Sequence, residues 1–259
     1  MPLVTYEKRD RIATITLNRP EVRNAFTLKM LDELAECMIS FRSDNDAWVA
    51  VITGAGDVFS AGHDVNEIKE LVKKLDSLPN LWDTFYHNSF QYDLELYKPV
   101  IAAINGPCIG EGLLTAMSCD FRLCVDNAIF SFPEVHLGIP TIIGGIKATK
   151  LMGLPHVMEL LLMGEHKDAE WSYRTGLVNK IVPSEALMEN AYAWAKRLAS
   201  LGPLAIRCTK EVILRSMDSS FFEAARSGEA MRRVVLQSGD AMEGVASFLE
   251  KRPPKFTGK

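Results

Sequence analysis

Residues 99–112 read PVIAAINGPCIGEG. Val100 to Ile104 is an unbroken apolar run, the pattern of a strand that meets protein on both faces and water on neither. Asn105 and Gly106 end the run. Gly106 to Gly112 is a glycine-rich turn into an apolar helical stretch, Leu113–Ser118. Glycine allows a backbone to turn tightly and to approach a neighbour or a ligand where a Cβ would not fit. Buried strand, glycine turn and helix, in that order, make a unit of an α/β protein.

The same unit stands earlier in the chain. Trp48 to Thr53 is a continuous apolar run, Gly54, Gly56 and Gly62 make the next stretch a loop, and a helical pattern follows at Asn66–Asp76. Upstream, Val4–Tyr6 and residues 11–18 read as strands, the second ended by Arg19-Pro20. Thr27 to Phe41 reads as an amphipathic helix with Leu28, Leu31, Leu34, Met38 and Phe41 on one stripe and Thr27 as its cap. A further helix is expected over Leu81–Leu96, and strands over Phe121–Val125 and Ile129–Phe132. From Ile143 onward helix follows helix, with Leu177–Val182 as the one strand-like interruption. The expected class is α/β, with a helical tail from about residue 203. Phe221, Phe222, Met231 and Val234–Leu236 in that tail need covering by the chain's own core or by another subunit, and the length of the stripes favours a subunit.

The chain of 259 residues is 47% hydrophobic and 24% charged, an ordinary soluble globular balance. Its net charge of −4 speaks against a nucleic-acid binder, which is usually strongly basic. The charge is uneven: residues 1–130 net −7 and the rest +3, and the last nine residues hold Lys251, Arg252, Lys255 and Lys259 without an acid. A solvated tail and an anion site both account for that run. Five cysteines without a CxxC read as reduced core thiols of an intracellular protein. The charged N-terminus lacks the apolar stretch of a signal peptide, and no uncharged apolar run reaches the roughly 18 residues of a membrane helix. A cytoplasmic location is expected, with a mature organellar form as the alternative, and no membrane partner.

Common chemical motifs fail. Ser60 has Val58 where a GxSxG elbow needs glycine, and Gly110-Glu111-Gly112 is followed by Thr115 where a dinucleotide fingerprint needs glycine. There is no Walker lysine, and the five histidines form neither HxxxH nor HExxH, so no metal site is expected. Three features remain. Two are the loops Phe59-Ser60-Ala61-Gly62-His63-Asp64-Val65 and Asn105–Gly112, each between a buried strand and a helix. Side by side they would aim one N–H each at a single oxygen, an oxyanion hole; each alone reads rather as a tight turn. The third is Phe132-Pro133-Glu134-Val135-His136-Leu137-Gly138, where Glu134 is either a hydrogen-bonded structural carboxylate or a base whose pKa an apolar pocket raises.

The three features in this order resemble the crotonase superfamily (enoyl-CoA hydratase/isomerase). The resemblance runs from Leu17-Asn18-Arg19-Pro20 and Asn24-Ala25-Phe26 through FSAGHDV, PVIAAINGPCIGEG, Cys119-Asp120, Pro133-Glu134 and Gly176-Leu177-Val178 to Phe248-Leu249-Glu250-Lys251-Arg252. It implies a crotonase-like fold of repeated ββα units over residues 1–200 and a helical C-terminal region, 201–259, that builds a homotrimer or hexamer and covers the site. It implies acyl-CoA substrates, with CoA arriving as part of the substrate and no resident cofactor. The N–H groups of His63 and Glu111 would hold the enolate oxygen. Ala61, Gly110 and Leu114 would be substrate-binding positions, and the backbone of His63, Asp64 and Val65 would hold the adenine end. Arg23 and Ala25 would line the CoA entrance, and Phe248 and Lys251, from the same or a neighbouring subunit, would approach adenine and phosphates.

The chain departs from the family pattern at four places. His63 replaces a small residue and Glu111 a glycine. Asn66 replaces a phosphate-binding lysine, leaving Lys69 or Lys251 for that role. Leu114 replaces the first of two glutamates with which hydratases of the family hold water, while Glu134 fills the second place. The resemblance then points to a Δ3,Δ2-enoyl-CoA isomerase with Glu134 as both base and acid, in a pocket kept dry by Leu114. A hydratase using Glu134 and Glu111, a crotonase-type hydrolase or lyase, and a non-catalytic acyl-CoA scaffold are the alternatives. His87 occupies the place of a dehalogenase histidine, but Ile139 to Gly144 holds no acid for the nucleophile near Ile142. His87 is expected instead on an aromatic helix with Trp82, Phe85, Tyr86, Phe90 and Tyr92, and His136 as a satisfied loop histidine.

Overall fold

Six strands form the main sheet of the computed structural model, which describes residues 1–74, 89–91 and 94–259, with backbone alone for 70–74. They are β1 (Val4–Arg9), β2 (Ile12–Leu17), β3 (Val49–Gly54), β4 (Val100–Ile104), β6 (Phe121–Val125) and β9 (Lys180–Val182), in spatial order β1-β2-β3-β4-β6-β9. β1 and β2 are an antiparallel hairpin; every other pairing is parallel. The two runs that read as doubly buried strands are so: every residue of β3 and β4 is buried. A second, smaller sheet joins β5 (Cys108–Ile109), β7 (Ile129–Ser131) and β8 (Lys167–Asp168). It places the turn after β4 beside the turn after β7, and so sets the site.

Parallel neighbours need crossovers, and helices supply them. α1 (Leu28–Ser43) is capped by Thr27, whose hydroxyl accepts from the Met30 N–H at 3.2 Å. Its buried face is Met30, Leu31, Leu34, Met38 and Phe41. Leu28 is 39% exposed, so the stripe starts at Met30 rather than Leu28: the first helical turn overhangs the sheet edge. α2 spans Val65–Lys74 and α3 spans Glu111–Met117, two residues ahead of the sequence expectation because the glycine turn closes at Gly110. The helix expected over 81–96 falls largely outside the described residues, together with His87, Trp82, Phe85, Tyr86 and Tyr92. Its described end is not helical: Leu94 to Leu96 run without regular structure into β4. Phe90 is buried.

The second half is helical: α4 (Ile143–Leu151), α5 (Leu154–Leu162), α6 (Ala169–Arg174), α7 (Leu187–Ala199), α8 (Pro203–Ser216), α9 (Phe221–Leu236) and α10 (Gly239–Leu249). Two strands interrupt it rather than one, because β8 pairs with β7 over only two residues, too short for any periodicity. α7 packs across β3 and β4, α3 against α4, and α8 against α9. Cys108, Cys119 and Cys124 are free thiols in the core, and burial pushes Cys119 and Cys124 up to about 12. Phe221, Phe222, Val234, Met242, Val245 and Phe248 stand exposed on α9 and α10. The basic tail is partly committed within the chain. Arg252 pairs with Glu243 and Glu250, and the backbone of Thr257 and Gly258 donates to Asp240. Among the described residues no helix is long and apolar enough to cross a membrane.

Candidate active site

Two loops leave neighbouring strands and are stitched together before they reach the site. Asn105, just past β4, accepts from the Gly54 N–H at 3.1 Å and donates to the carbonyls of Gly54 (3.0 Å) and Gly56 (2.8 Å). Ser60 Oγ donates to the Asn24 carbonyl at 2.8 Å and accepts from the Gly62 N–H at 3.1 Å. The Ile109 N–H donates to the Ser60 carbonyl at 2.9 Å. Asn24, fully buried with φ 53°, reaches the carbonyls of Ala55 and Val58. The first loop also zips onto residues 23–26: Ala61 N–H to Arg23, Phe26 N–H to Gly62, and Asp64 N–H to Phe26. Arg23 and Ala25 therefore lie beside the loop.

Glycine is required at two points of closest approach. Gly110 has φ 51°, and a Cβ there would stand 2.9 Å from Glu134 Oε1. A Cβ on Gly112 would meet Ser60 Cβ at 2.6 Å and the Ser60 carbonyl oxygen at 3.1 Å. The loops thus touch backbone to backbone, and the Glu134 carboxylate lies against the second of them. Beyond the glycines come the N–H groups of His63 and Glu111. Neither has an acceptor among the described residues. Glu111 is the first residue of α3, where an N–H has no intrahelical partner.

Glu134 sits on the turn Pro133–Leu137 after β7 and accepts from Thr141 Oγ1 at 3.1 Å. Burial pushes its carboxyl above the ordinary range, and the nearby Glu111 carboxylate adds to that; the hydrogen bond from Thr141 and the His63 ring pull the other way without winning. Leu114, on α3, is 5% exposed and presents no polar atom from its side chain. His136 is paired, its Nε2 lying 3.1 Å from the Met163 carbonyl.

The side chains of His63 and Glu111 meet, which nothing in the sequence spacing announced. His63 Nε2 lies 3.3 Å from Glu111 Oε2. Burial works to strip the proton from the His63 ring, but the Glu111 carboxylate, joined by Glu67 and the Phe26 backbone, outweighs it and holds the ring's pKa above its usual value. The Glu111 side chain is 7% exposed, and its other oxygen, Oε1, is buried without a donor among the described residues. Sequence reasoning also missed Thr141 and Gln91. Gln91 donates to Thr115 Oγ1 at 3.0 Å, and Thr115 Oγ1 donates to the Glu111 carbonyl at 2.9 Å. The Gln91 contact spans 24 residues of sequence, and the Thr141 contact forms within the irregular segment after Glu134, where no periodicity marks it.

The expected CoA contacts are less gathered. Ala61, Val65 and Arg23 are exposed at the rim. Asp64 is tied to Arg19 at 3.5 Å and caps the Asn66 N–H. Lys69 is exposed on α2. Phe248 is 82% exposed at the end of α10 and Lys251 follows it, with no hydrogen bond from either to the glycine loops. A cleft of about 990 Å³ opens elsewhere, between the start of β6, α4 and α8; none of His63, Glu111 and Glu134 lines it. Among the described residues no group of three or more His, Cys, Asp or Glu side chains is placed to hold a metal ion.

Two N–H groups without acceptors among the described residues lie on loops that meet beside a carboxylate of raised pKa; holding a developing oxyanion while a proton moves at the adjacent carbon calls for groups of these kinds. The chain is similar to known proteins over nearly its whole length. Residues 7–259 match the family model described as enoyl-CoA hydratase/isomerase. The carnitinyl-CoA dehydratase of Escherichia coli (strain K12) is 38% identical over 257 residues, covering 96% of this chain and 95% of that protein. A probable mitochondrial enoyl-CoA hydratase of Dictyostelium discoideum is 32% identical over 98% of this chain and 91% of its own length. The crystal structure of an enoyl-CoA hydratase from Mycobacterium tuberculosis H37Rv superposes with a TM-score of 0.90 at 30% identity, covering both chains completely. With the match running over nearly its whole length, the chain belongs to the enoyl-CoA hydratase/isomerase family and is an enzyme of the crotonase superfamily.

Proposed function

We propose that the chain shifts a carbon–carbon double bond in an acyl-CoA thioester from Δ3 to Δ2, with Glu134 as the single acid and base. Ionised Glu134 takes a proton from C2 of the 3-enoyl thioester. The C2–H electron pair enters a dienolate, whose oxygen lies between the N–H groups of His63 and Glu111. Glu134 then returns the proton to C4, the new double bond standing between C2 and C3. A positioned acid–base group contributes about 10²–10⁴-fold and an oxyanion donor about 10²–10³-fold. CoA comes with the substrate, and the reading needs no resident cofactor.

The observation that carries this reading is the fate of the second carboxylate. Leu114 stands where water would be held. Glu111, the other candidate, has one oxygen on His63 and the other buried. Leu114 offers water no polar atom, and a Glu111 engaged by His63 is less free to activate it, which supports the single-carboxylate reading. The rim residues Arg23, Ala25, Asp64 and Val65 would meet the CoA moiety, with Phe248 and Lys251 joining from α10 of this or a neighbouring subunit. A cytoplasmic location remains the expectation, although the Dictyostelium relative is named mitochondrial.

Hydration of a 2-enoyl thioester is the second reading, favoured by the names of the relatives, which are hydratases and dehydratases. Glu111 would then have to leave His63 and take up water. A crotonase-type hydrolase or lyase would also use one carboxylate, and a scaffold would bind acyl-CoA without turnover. Ultraviolet absorbance of the conjugated enoyl thioester separates these. The isomerase reading expects a rise with a 3-enoyl-CoA that Glu134→Gln abolishes. A fall with a 2-enoyl-CoA at a comparable rate supports hydration and contradicts it.

A further inference from the structure

The pair that His63 and Glu111 form bridges the two residues whose N–H groups flank the same point. The loops hang from different strands, β3 and β4, and their other cross-ties come earlier, from Asn105 to Gly54 and Gly56, from the Phe59 and Ser60 N–H groups to Pro107, and from the Ile109 N–H to Ser60. Past those ties the described side chains offer one link between the loops, the 3.3 Å contact of His63 Nε2 with Glu111 Oε2. We propose that His63 and Glu111 are positioning residues, a side-chain clasp that fixes the spacing of the two oxyanion-hole N–H groups and cancels the charge that Glu111 brings to the hole. The proposal rests on the acyl-CoA enolate reading above and goes beyond it.

Two physical points support the clasp. An oxyanion hole works because its donors are already in place when charge develops, and a misplacement of a fraction of an ångström weakens both donors. Fixing one loop against the other keeps that spacing without reorganisation. The second point is electrostatic. A carboxylate on the very residue that donates to an oxyanion repels the charge the hole must stabilise. Glu111 is almost wholly buried, so water does not screen it, and Oε1 has no donor among the described residues. The His63 imidazolium neutralises it at contact distance. Each residue makes the other acceptable at its position. Glu111 without His63 is a buried, uncompensated anion beside the reaction.

This predicts a sign of coupling that independent roles would not produce. His63→Ala alone leaves the anion and removes the clasp, so kcat falls about tenfold or more while KM changes less. The double variant His63→Ala with Glu111→Gly removes both charges and recovers most of that loss. A spectroscopic reading accompanies the kinetics: the absorption band of an aryl-conjugated enoyl-CoA shifts to the red when its carbonyl is polarised in the hole. The shift is expected to shrink in His63→Ala and to return in the double variant. His63→Gln, which keeps a neutral donor toward Glu111, is expected between the two and serves if His63→Ala does not fold. Losses that simply add in the double variant, or single variants that keep both kcat and the red shift, overturn the clasp. A wild-type protein that neither binds nor shifts the probe overturns the acyl-CoA reading and the clasp with it. A normal red shift without isomerisation contradicts the isomerase alone.

Discussion

Glu134 carries a conflict between function and stability. Its carboxyl is held above the ordinary range mainly by burial, so the unfolded chain gives up this proton at lower pH than the folded one. Stability therefore falls as pH rises from the ordinary carboxylate value through the raised one, and the cost persists at neutral pH. Glu134→Gln keeps an oxygen for Thr141 and sheds the charge. It is expected to raise the melting temperature by a few degrees while lowering kcat by about 10²–10⁴-fold; a melting temperature below wild type would contradict the burial cost. In wild type, kcat/KM is expected to drop as pH falls through the raised carboxyl pKa, so the acid limb of a pH–rate profile should lie above the ordinary glutamate value. At this scale the sequence was readable for Glu134, His63 and Leu114 as positions, because the motif spacing locates them. It was not readable for the His63–Glu111 contact, which depends on how two separate loops are brought together, or for Thr141, which reaches Glu134 through an irregular segment without periodicity.

Among the elements, the strand–glycine–helix units decide the site. β3 and β4 were legible as continuous apolar runs because a strand covered on both faces has no polar side to show. The glycine turns were legible too, since Gly110 and Gly112 stand where a Cβ would strike Glu134 and Ser60. Gly112→Ala should push the second loop off the first. About 1–3 kcal/mol of stability loss is expected from the overpacking, with a larger fall in activity than in substrate affinity; chemical denaturation beside steady-state kinetics checks it. Unchanged kcat would mean the loop contact does not set the geometry. Less was legible where elements are short or only partly buried. The two residues of β8 have no period, Leu28 shares the spacing of a core residue but overhangs the edge, and Leu94 to Leu96 carry a helical pattern that the approach to β4 overrides.

The whole molecule leaves a broad apolar surface on its C-terminal helices. Phe221, Phe222, Val234, Met242, Val245 and Phe248, on two consecutive helices, are each more than half exposed, and a large exposed apolar patch marks an interaction surface. A homotrimer or hexamer would cover it. Light scattering on the eluting protein should give about three or six chain masses, and Val234→Asp should lower that number; a monomer in wild type would leave the tail without the role assigned to it. The α/β class and the helical tail were legible from element order alone. The assembly was not, because an apolar helix face says that something covers it and not what.

The central claim is that one carboxylate moves one proton from C2 to C4 of an acyl-CoA. A 3-enoyl-CoA deuterated at C2, turned over in ordinary water and analysed by mass spectrometry, tests it most directly. Deuterium appearing at C4 of the 2-enoyl product, and product formation slowed about 10²–10⁴-fold with Glu134→Gln, is the predicted result. A product without deuterium at C4 from its first turnovers onward, or a 3-hydroxyacyl-CoA in place of the enoyl product, would contradict it.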